Sequence, residues 1–119
     1  SKFYIDTIYN IDIDPWCEEN SIKANKINHA ISRYYAQTVD MADYSYNDTA
    51  DIIINTSCEH ITQEQYDIWL DNLPDDSLIV LQSNNYKIDE HIRIANDLQD
   101  FKNQSKIKTL SESLFSHFS

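Results

Sequence analysis

The chain of 119 residues contains no glycine, although average usage would give roughly eight in a chain of this length. A glycine-rich phosphate or dinucleotide loop is therefore excluded within these residues. Turns must instead use asparagine and aspartate, which tolerate left-handed backbone better than other non-glycine residues. Cysteine is also scarce: Cys17 and Cys58 lie far apart with no C-x-x-C pair, which argues against a disulfide framework or a zinc knuckle. Both are expected to be small buried hydrophobic residues.

Basic residues are few, since nine lysines and arginines face twenty aspartates and glutamates, for a net charge of −11. This balance argues against nucleic acid and anionic membrane surfaces as partners, because their phosphates would be repelled. No apolar run approaches a membrane span of about eighteen residues, and no charged and then apolar start suggests secretion. We therefore expect a cytoplasmic protein that binds neither nucleic acid nor membrane.

What is present is an alternation of strands and helices. Apolar and β-branched runs predict strands at 8–13, 32–39, 52–54 and 78–81, and the strand at 52–54 is expected to be buried on both faces. Helices are predicted at 15–28, 62–73 and 88–101, with N-caps at Asp14 and Thr62, and a last edge strand at 107–114. The expected inward positions of the helices are Cys17, Ala24, Ile27 and Ile31, then Tyr66, Trp69, Leu70 and Leu73, then Ile88, Ile92, Ala95 and Leu98. This order predicts one α/β domain over 1–119 with parallel strands and right-handed crossovers.

Polar side chains follow two of the predicted strands. Residues 55–60 read N-T-S-C-E-H, and residues 83–86 read S-N-N-Y. In open α/β sheets ligands bind beyond the carboxyl ends of the strands, so we expect a site here. Asn84, Asn85 and Tyr86 could bind a polar substrate, or could only satisfy backbone groups of a turn without glycine.

The first polar cluster suggests acid–base chemistry. His60 is a candidate general base, since imidazole titrates near neutral pH, and a hydrogen-bonded structural histidine is an equal alternative. The spacing of Cys58, Glu59, His60 and His91 matches no metal-ligand motif, so no metal site is predicted.

Several segments together resemble class I S-adenosylmethionine-dependent methyltransferases. Residues 8–17, I-Y-N-I-D-I-D-P-W-C, resemble the family's second strand with its acidic end, and residues 38–41, T-V-D-M, resemble the acidic turn after the third strand. Residues 50–60, A-D-I-I-I-N-T-S-C-E-H, resemble the fourth strand, and residues 73–86 resemble a helix end and fifth strand. The resemblance implies a Rossmann-like, mostly parallel sheet with flanking helices.

The resemblance also implies S-adenosyl-L-methionine as cofactor and assigns residues to it. Asp12 would accept hydrogen bonds from the ribose hydroxyls, and Ile13 would pack on the adenine. Asp40 would accept from the adenine amino group, and the Met41 backbone N–H would meet the ring. Asn55 would line the cofactor; Thr56, Ser57, Asn84, Asn85 and Tyr86 would line the acceptor, with His60 or Glu59 as the base. Asp12 could instead form only a strand-end turn, and Asp40 could be a loop carboxylate.

The family's first strand and glycine-rich turn, which hold the methionine end of the cofactor, have no counterpart here. We therefore expect a partial fold: the C-terminal portion of a methyltransferase-like domain, a sheet closed by residues 1–13, or one completed by a second chain or a homo-oligomer. These residues alone are then expected to bind S-adenosylmethionine weakly or not at all.

The expected function is methyl transfer to a small-molecule or protein acceptor, once an upstream segment or a partner chain completes the fold. One alternative is a non-catalytic protein-interaction module whose exposed sheet edge binds a partner. Another is a hydrolase that uses the cluster from Cys58 to His60.

Overall fold

The computed structural model describes residues 4–46 and 50–107, which belong to two compact units, Ser1–Ser45 (unit 1) and Tyr46–Ser119 (unit 2). Unit 1 contains β1 (Ile8–Asp12), α1 (Pro15–Ala24), α2 (Lys26–Ala30) and β2 (Tyr34–Thr38). Unit 2 contains β3 (Ile52–Asn55), a short 3₁₀ helix (Cys58–His60), α3 (Gln63–Asp71), β4 (Leu78–Leu81) and α4 (Leu98–Ser105). None of the helices in these ranges has the length and apolar character needed to cross a membrane.

Each unit contains one parallel pair of strands. β1 pairs with β2, with Asp12 opposite Thr38, and β3 pairs with β4, with Asn55 opposite Leu81. Parallel strands need a crossover connection, and the helices between the paired strands provide it. The predicted α/β class and parallel pairing are confirmed, in two sheets of two strands each in place of one larger sheet.

The helix starts follow local sequence signals. Asp14 accepts a hydrogen bond from the Trp16 backbone N–H at 3.0 Å, and proline occupies the first position of α1. At α3, Thr62 Oγ1 accepts from the Gln65 N–H at 3.1 Å, and Gln65 Oε1 accepts from the Thr62 N–H at 2.9 Å. These bonds satisfy donors that the first helical turn leaves open, so both predicted N-caps are confirmed.

The buried core of unit 2 packs around α3. Tyr66 and Trp69 are 0% and 2% exposed, as predicted, and Cys58 and Ala95 are both fully buried. The Tyr66 hydroxyl donates to the Ser105 carbonyl at 2.6 Å, which joins α3 to the end of α4. In the described part of unit 1, by contrast, Tyr34 is the single large buried side chain.

The helix predicted at 15–28 is interrupted. α1 ends at Ala24, where both the backbone N–H and Nδ2 of Asn25 bond to the Ser21 carbonyl, and α2 then begins at Lys26. The predicted inward positions are therefore wrong for Ile27 and Ile31, which are 77% and 57% exposed. Ala24 is exposed too, and Cys17 is half-buried.

The helix predicted at 88–101 is also wrong over most of its length, because α4 covers only Leu98–Ser105. The backbone N–H of Arg93 bonds to the Glu59 carbonyl at 3.1 Å, and that of Ala95 to the Asn84 carbonyl at 3.0 Å. These bonds to distant segments replace the bonds that a helix would make, which shows how tertiary context overrides propensity. The expected inward residues Ile88 and Ile92 are 52% and 58% exposed. The strand predicted at 107–114 lies outside the described residues, apart from Ile107, which is in no strand.

The strand at 52–54 is present but is not buried on both faces. Ile53 is 8% exposed, whereas Ile52 and Ile54 are 55% and 64% exposed. Their partners in β4, Leu78 and Val80, are 59% and 41% exposed. Alternate side chains point to opposite faces of a strand, so only one face of this pair packs on the core.

Candidate functional site

The carboxyl edge of β1–β2 carries two of the carboxylates singled out in the sequence. Asp12 is the last residue of β1, and Asp40 follows the end of β2 by two residues. The Val39 N–H donates to the Asp12 carbonyl at 2.9 Å, so β2 continues beside β1 to this edge. Because the two strands are parallel, their ends lie at one edge, and the structure brings Asp12 and Asp40 there.

Both carboxylates also make local turns. Asp12 Oδ1 accepts from the Asp14 N–H at 2.9 Å, and Asp40 Oδ1 accepts from the Ala42 N–H at 2.9 Å. A carboxylate has about four acceptor positions, so these bonds use only part of each group's capacity. The turn role and a ligand role are therefore compatible for both side chains.

The surroundings of Asp12 are partly apolar. Ile13 is 69% exposed and Met41 is half-buried. Partial burial raises the pKa of the Cys17 thiol, and a hydrogen bond to the Asp12 carboxylate raises it further. Sequence reasoning treated Cys17 only as a small hydrophobic residue and missed its contact with Asp12, since nothing in the spacing of the two residues signals it.

The carboxyl edge of β3–β4 begins at Asn55. This side chain is 5% exposed, and its Oδ1 accepts from the Ser57 N–H at 2.9 Å. The Asn55 carbonyl accepts from the Gln82 N–H at 2.9 Å. Asn55 thus forms the turn that leads into the 3₁₀ helix, while Thr56 is exposed and Ser57 half-buried beside it.

The second polar cluster satisfies backbone groups. Asn84 Oδ1 accepts from the Tyr86 N–H at 3.1 Å, and the Tyr86 carbonyl lies 2.9 Å from Nδ1 of His91. This is the structural role that the sequence left open for a turn without glycine. Asn85 is half-buried and Tyr86 is 57% exposed, so both remain accessible to a substrate.

The two candidate bases, Glu59 and His60, lie in the short 3₁₀ helix. Nε2 of His60 is 3.4 Å from Oε1 of Glu59, and Nδ1 of His60 is 2.9 Å from the Glu90 carbonyl oxygen. The His60 and His91 rings meet edge to face, with centroids 4.9 Å apart. The structure therefore brings Glu59, His60 and His91 into one cluster.

Cys58 does not join that cluster. Its side chain is fully buried, and its Sγ lies 3.9 Å from the Asn55 carbonyl oxygen. Burial raises the pKa of this thiol to about 11, with the Arg93 charge opposing the rise and the Glu59 charge adding to it. A thiol nucleophile must ionise and must be accessible to its substrate, and burial opposes both for Cys58. Cys58 is therefore a core residue.

Arg93 holds the turn at Glu59 and His60 in place, and sequence reasoning missed it. Its guanidinium donates to the Cys58 carbonyl at 2.9 Å and to the Ile61 carbonyl at 3.2 Å, and its Nη1 donates to Gln63 Oε1 at 2.8 Å. It also lies over the Tyr66 ring, 4.7 Å from the centroid. The only sequence signal was an arginine between two isoleucines, in a chain with two arginines.

Comparisons of the chain with protein-family models, with curated proteins and with solved structures gave no match. The similarity to class I methyltransferases therefore rests on the sequence segments quoted above.

Proposed function

We propose that the chain is an S-adenosylmethionine-dependent methyltransferase-like domain in which unit 1 binds the nucleoside of the cofactor. The observation that supports this most directly is the parallel pair β1–β2, which puts Asp12 and Asp40 at one carboxyl edge. A carboxylate at a strand end can accept two hydrogen bonds from the ribose diol. The exposed Ile13 side chain and Met41 next to Asp40 offer apolar contact and a backbone donor to adenine.

The strand pairing supports the same proposal. In the family's sheet the first strand lies between the second and the fourth, so its absence leaves the second paired with the third and the fourth with the fifth. The pairs β1–β2 and β3–β4 correspond to these two. The methionine end of the cofactor lacks its usual glycine-rich turn in this sequence, which has no glycine. We therefore expect full binding only when an upstream segment or a second chain supplies that part.

In unit 2, His60 or Glu59 is the proposed base, and Asn55 is proposed to line the cofactor. The residues proposed to line the acceptor are Thr56, Ser57, Asn84, Asn85 and Tyr86. In-line transfer forms a bond from the acceptor to the methyl carbon as the carbon–sulfur bond breaks, and a base takes the acceptor's proton. Nδ1 of His60 faces the Glu90 carbonyl, so Nε2 carries the lone pair, 3.4 Å from Glu59 Oε1. The chain has a net charge of −11, which would repel nucleic acid. We therefore propose that the methyl acceptor is a small molecule or a protein in the cytoplasm.

The nucleoside assignment is testable on the chain as it is. S-adenosylhomocysteine titrated into labelled protein should shift the amide signals of Asp12, Ile13, Asp40 and Met41, with a dissociation constant on the order of millimolar. Asp12→Asn should weaken binding about tenfold, because a charged acceptor of hydrogen bonds contributes about 1.5–3 kcal/mol. Asp6→Asn, an exposed acidic residue just before β1, is the matched control and should leave the affinity unchanged.

Two outcomes would change this picture in different ways. An absence of shifts at these four amides, or equal effects of Asp6→Asn and Asp12→Asn, would remove the nucleoside assignment. Micromolar binding of S-adenosylmethionine would instead keep the assignment and overturn the expectation that the site is incomplete.

A second candidate, a protein-interaction module, is favoured by the exposed face of β3–β4. Ile52, Ile54, Leu78 and Val80 share that face, and each is at least 41% exposed. Apolar surface of this kind marks a place where a partner binds, and the acidic chain favours a basic one. A cationic amphipathic peptide should then shift the signals of these four residues, and an anionic peptide of the same apolar content should not. If both peptides leave the spectrum unchanged, this candidate is wrong.

A further inference from the structure

The cluster of Glu59, His60 and His91 has a geometry that the acid–base role does not require. One ligand atom from each side chain lies within 4.8 Å of the other two. Glu59 and His60 lie in the 3₁₀ helix that follows β3, and His91 lies in the segment after β4, thirty-one residues after His60. The fold therefore assembles three metal-binding side chain types that are far apart in the sequence.

Nδ1 of each imidazole is engaged by a backbone carbonyl, which leaves Nε2 as the acceptor in the neutral ring. Nδ1 of His60 lies 2.9 Å from the Glu90 carbonyl oxygen, and Nδ1 of His91 lies 2.9 Å from the Tyr86 carbonyl oxygen. A carbonyl can only accept, so Nδ1 carries the hydrogen in each neutral ring, and the lone pair is on Nε2. Histidines that bind metals are commonly oriented by such a bond from the other ring nitrogen.

Glu59 supplies a second, independent observation. This residue is 7% exposed, and its Oε2 is buried without a hydrogen-bond partner among the residues that the structure describes. Burying a carboxylate oxygen without a partner is costly, because the lost hydration is not replaced. A cation bound to Oε2 would compensate for this lost hydration.

The contact between Glu59 and His60 points the same way. Oε1 of Glu59 and Nε2 of His60 are 3.4 Å apart, and with the hydrogen on Nδ1 both atoms are acceptors. Two acceptors facing each other are stabilised by a proton on Nε2 or by a metal cation that both atoms bind. Ligands about 2.0–2.1 Å from a tetrahedral zinc ion are about 3.4 Å from each other, so this pair already has the spacing of two zinc ligands. The largest distance between ligand atoms in the cluster is at most 4.8 Å, so it would have to shorten by about 1.4 Å on zinc binding.

Arg93 fixes the backbone of the turn that carries Glu59 and His60. Its N–H donates to the Glu59 carbonyl at 3.1 Å, and its guanidinium donates to the carbonyl groups of Cys58 and Ile61 at 2.9 and 3.2 Å. Arg93 follows His91 by two residues, so these bonds tie the segment of His91 to the turn of Glu59 and His60. The three side chains are thus placed by tertiary hydrogen bonds and not by chance proximity at a surface.

We propose that Glu59, His60 and His91 bind a divalent transition-metal ion, with zinc as the best fit. Two imidazole nitrogens and one carboxylate suit zinc and its neighbours, whereas calcium and magnesium prefer oxygen ligands. The His60 side chain is 46% exposed, so solvent reaches this side of the cluster, and three protein ligands leave a fourth position for water or substrate. A set of three protein ligands with one open position is typical of catalytic zinc sites.

The metal site does not depend on the proposed methyl transfer. A metal on Nε2 of His60 would use the lone pair that a general base needs, so His60 performs only one of the two roles at a time. Metal binding is measured without cofactor or acceptor, and its failure is therefore distinguishable from failure of the methyltransferase proposal.

The test uses the full chain without a polyhistidine tag, after treatment with a chelator. Calorimetry with zinc should give one ion per chain, and Glu59→Gln, His60→Ala and His91→Ala should each weaken binding at least tenfold. His29→Ala, in unit 1, is the matched control and should leave the affinity unchanged. Cobalt(II) should give the intense visible absorption of four- or five-coordinate geometry, and this absorption should be lost in His91→Ala.

Circular dichroism checks that each variant is folded. Glutamine is chosen at position 59 because it keeps the shape of the buried glutamate side chain and removes its charge. Nitrogen NMR of the histidine rings should show zinc-dependent shifts at Nε2 of His60 and His91. Absence of stoichiometric zinc binding, or equal weakening in His29→Ala and His91→Ala, would overturn the site. Binding of magnesium or calcium as tight as that of zinc would overturn the assignment to a transition metal.

Discussion

Units 1 and 2 share a plan of parallel strand, helix and parallel strand, and each has one tryptophan, one arginine and one cysteine. In unit 2, Trp69 is 2% exposed, Cys58 is fully buried, and the half-buried Arg93 bonds to two backbone carbonyls. In unit 1, Trp16 is 67% exposed. The two arginines are both half-buried and differ in their acceptors, since Arg33 donates to the carbonyls of two exposed residues near the start of the chain.

The difference shows where a core comes from in this fold. Unit 2 continues after its second strand, and residues 82–107 return to the 3₁₀ helix through Arg93 and to α3 through Ser105. In unit 1 the segment after β2 consists of residues 39–45, and none of them is buried. The shared plan of strand and helix therefore supplies the local structure, and the returning segment supplies the burial.

The largest expected effect that separates the units is at the tryptophans. Trp69→Ala should lower the free energy of unfolding by about 4 kcal/mol, because removing a buried indole loses apolar contact and leaves a cavity. Trp16→Ala, its exposed counterpart, should cost less than about 1 kcal/mol. Urea unfolding followed by circular dichroism gives both values, and amide NMR signals show which unit unfolds. Similar losses in the two variants would contradict the comparison.

The arginines should give the next largest difference. Arg93→Ala should cost about 3 kcal/mol, because it leaves the Cys58 and Ile61 carbonyls without donors inside unit 2. Arg33→Ala should cost less than about 1 kcal/mol, because its partners are exposed to water. Arg93→Lys should recover less than half of the loss, since an ammonium group cannot reproduce the planar fork. Full recovery by lysine in urea unfolding would mean that charge alone matters at this position.

Cys58 should make the free energy of unfolding of unit 2 depend on pH in the alkaline range. The pKa of Cys58 is raised from 9.0 to about 11, mainly by burial, so the unfolded chain releases this proton at a lower pH than the folded chain does. The contribution is fully present below pH 9 and falls as the pH rises to about 11, by at most about 1.4 kcal/mol per pH unit.

Urea unfolding at a series of pH values measures this dependence. Cys58→Ala should reduce the slope in this window, whereas Cys17→Ala should change it less. A thiol reagent at neutral pH should modify Cys17 in the folded chain and Cys58 only after unfolding. Rapid modification of Cys58 in the folded chain would show that its burial is only transient.

The smallest expected effect should be equal in the two units. Asp14→Ala and Thr62→Ala each remove an N-cap hydrogen bond, and each should cost about 1 kcal/mol. Caps are local, so the returning segment of unit 2 should make no difference to them. Urea unfolding of both variants checks this, and a much larger loss for Thr62→Ala would mean that its cap is coupled to the core.

The features predicted well from the sequence are those whose cause is local. Proline after Asp14 and the glutamine three residues after Thr62 specify where two helices begin, and both starts are observed. The β-branched run at 52–54 specifies a strand, and the strand is observed. Its burial was predicted wrongly, because burial of Ile52 and Ile54 depends on what packs on that face and not on the strand itself.

The errors have one physical origin. Residues 88–97 have helical spacing, yet after one local turn, from the His91 N–H to the Ile88 carbonyl, Arg93 and Ala95 bond to Glu59 and Asn84. In the candidate site, sequence placed Glu59 and His60 together but could not place His91, since its position depends on that irregular segment. Arg93, which fixes the segment, was missed for the same reason.

The sequence by itself determined the alternation of strands and helices, the helix caps, the acidic charge and the exclusion of glycine-rich loops, because each follows from residues close together in the chain. Only the tertiary structure decided which faces are buried, where the helix after β4 begins, and that Glu59, His60 and His91 meet. Those outcomes depend on hydrogen bonds and packing between residues about thirty positions apart, such as Arg93 with Cys58, and no local pattern encodes them.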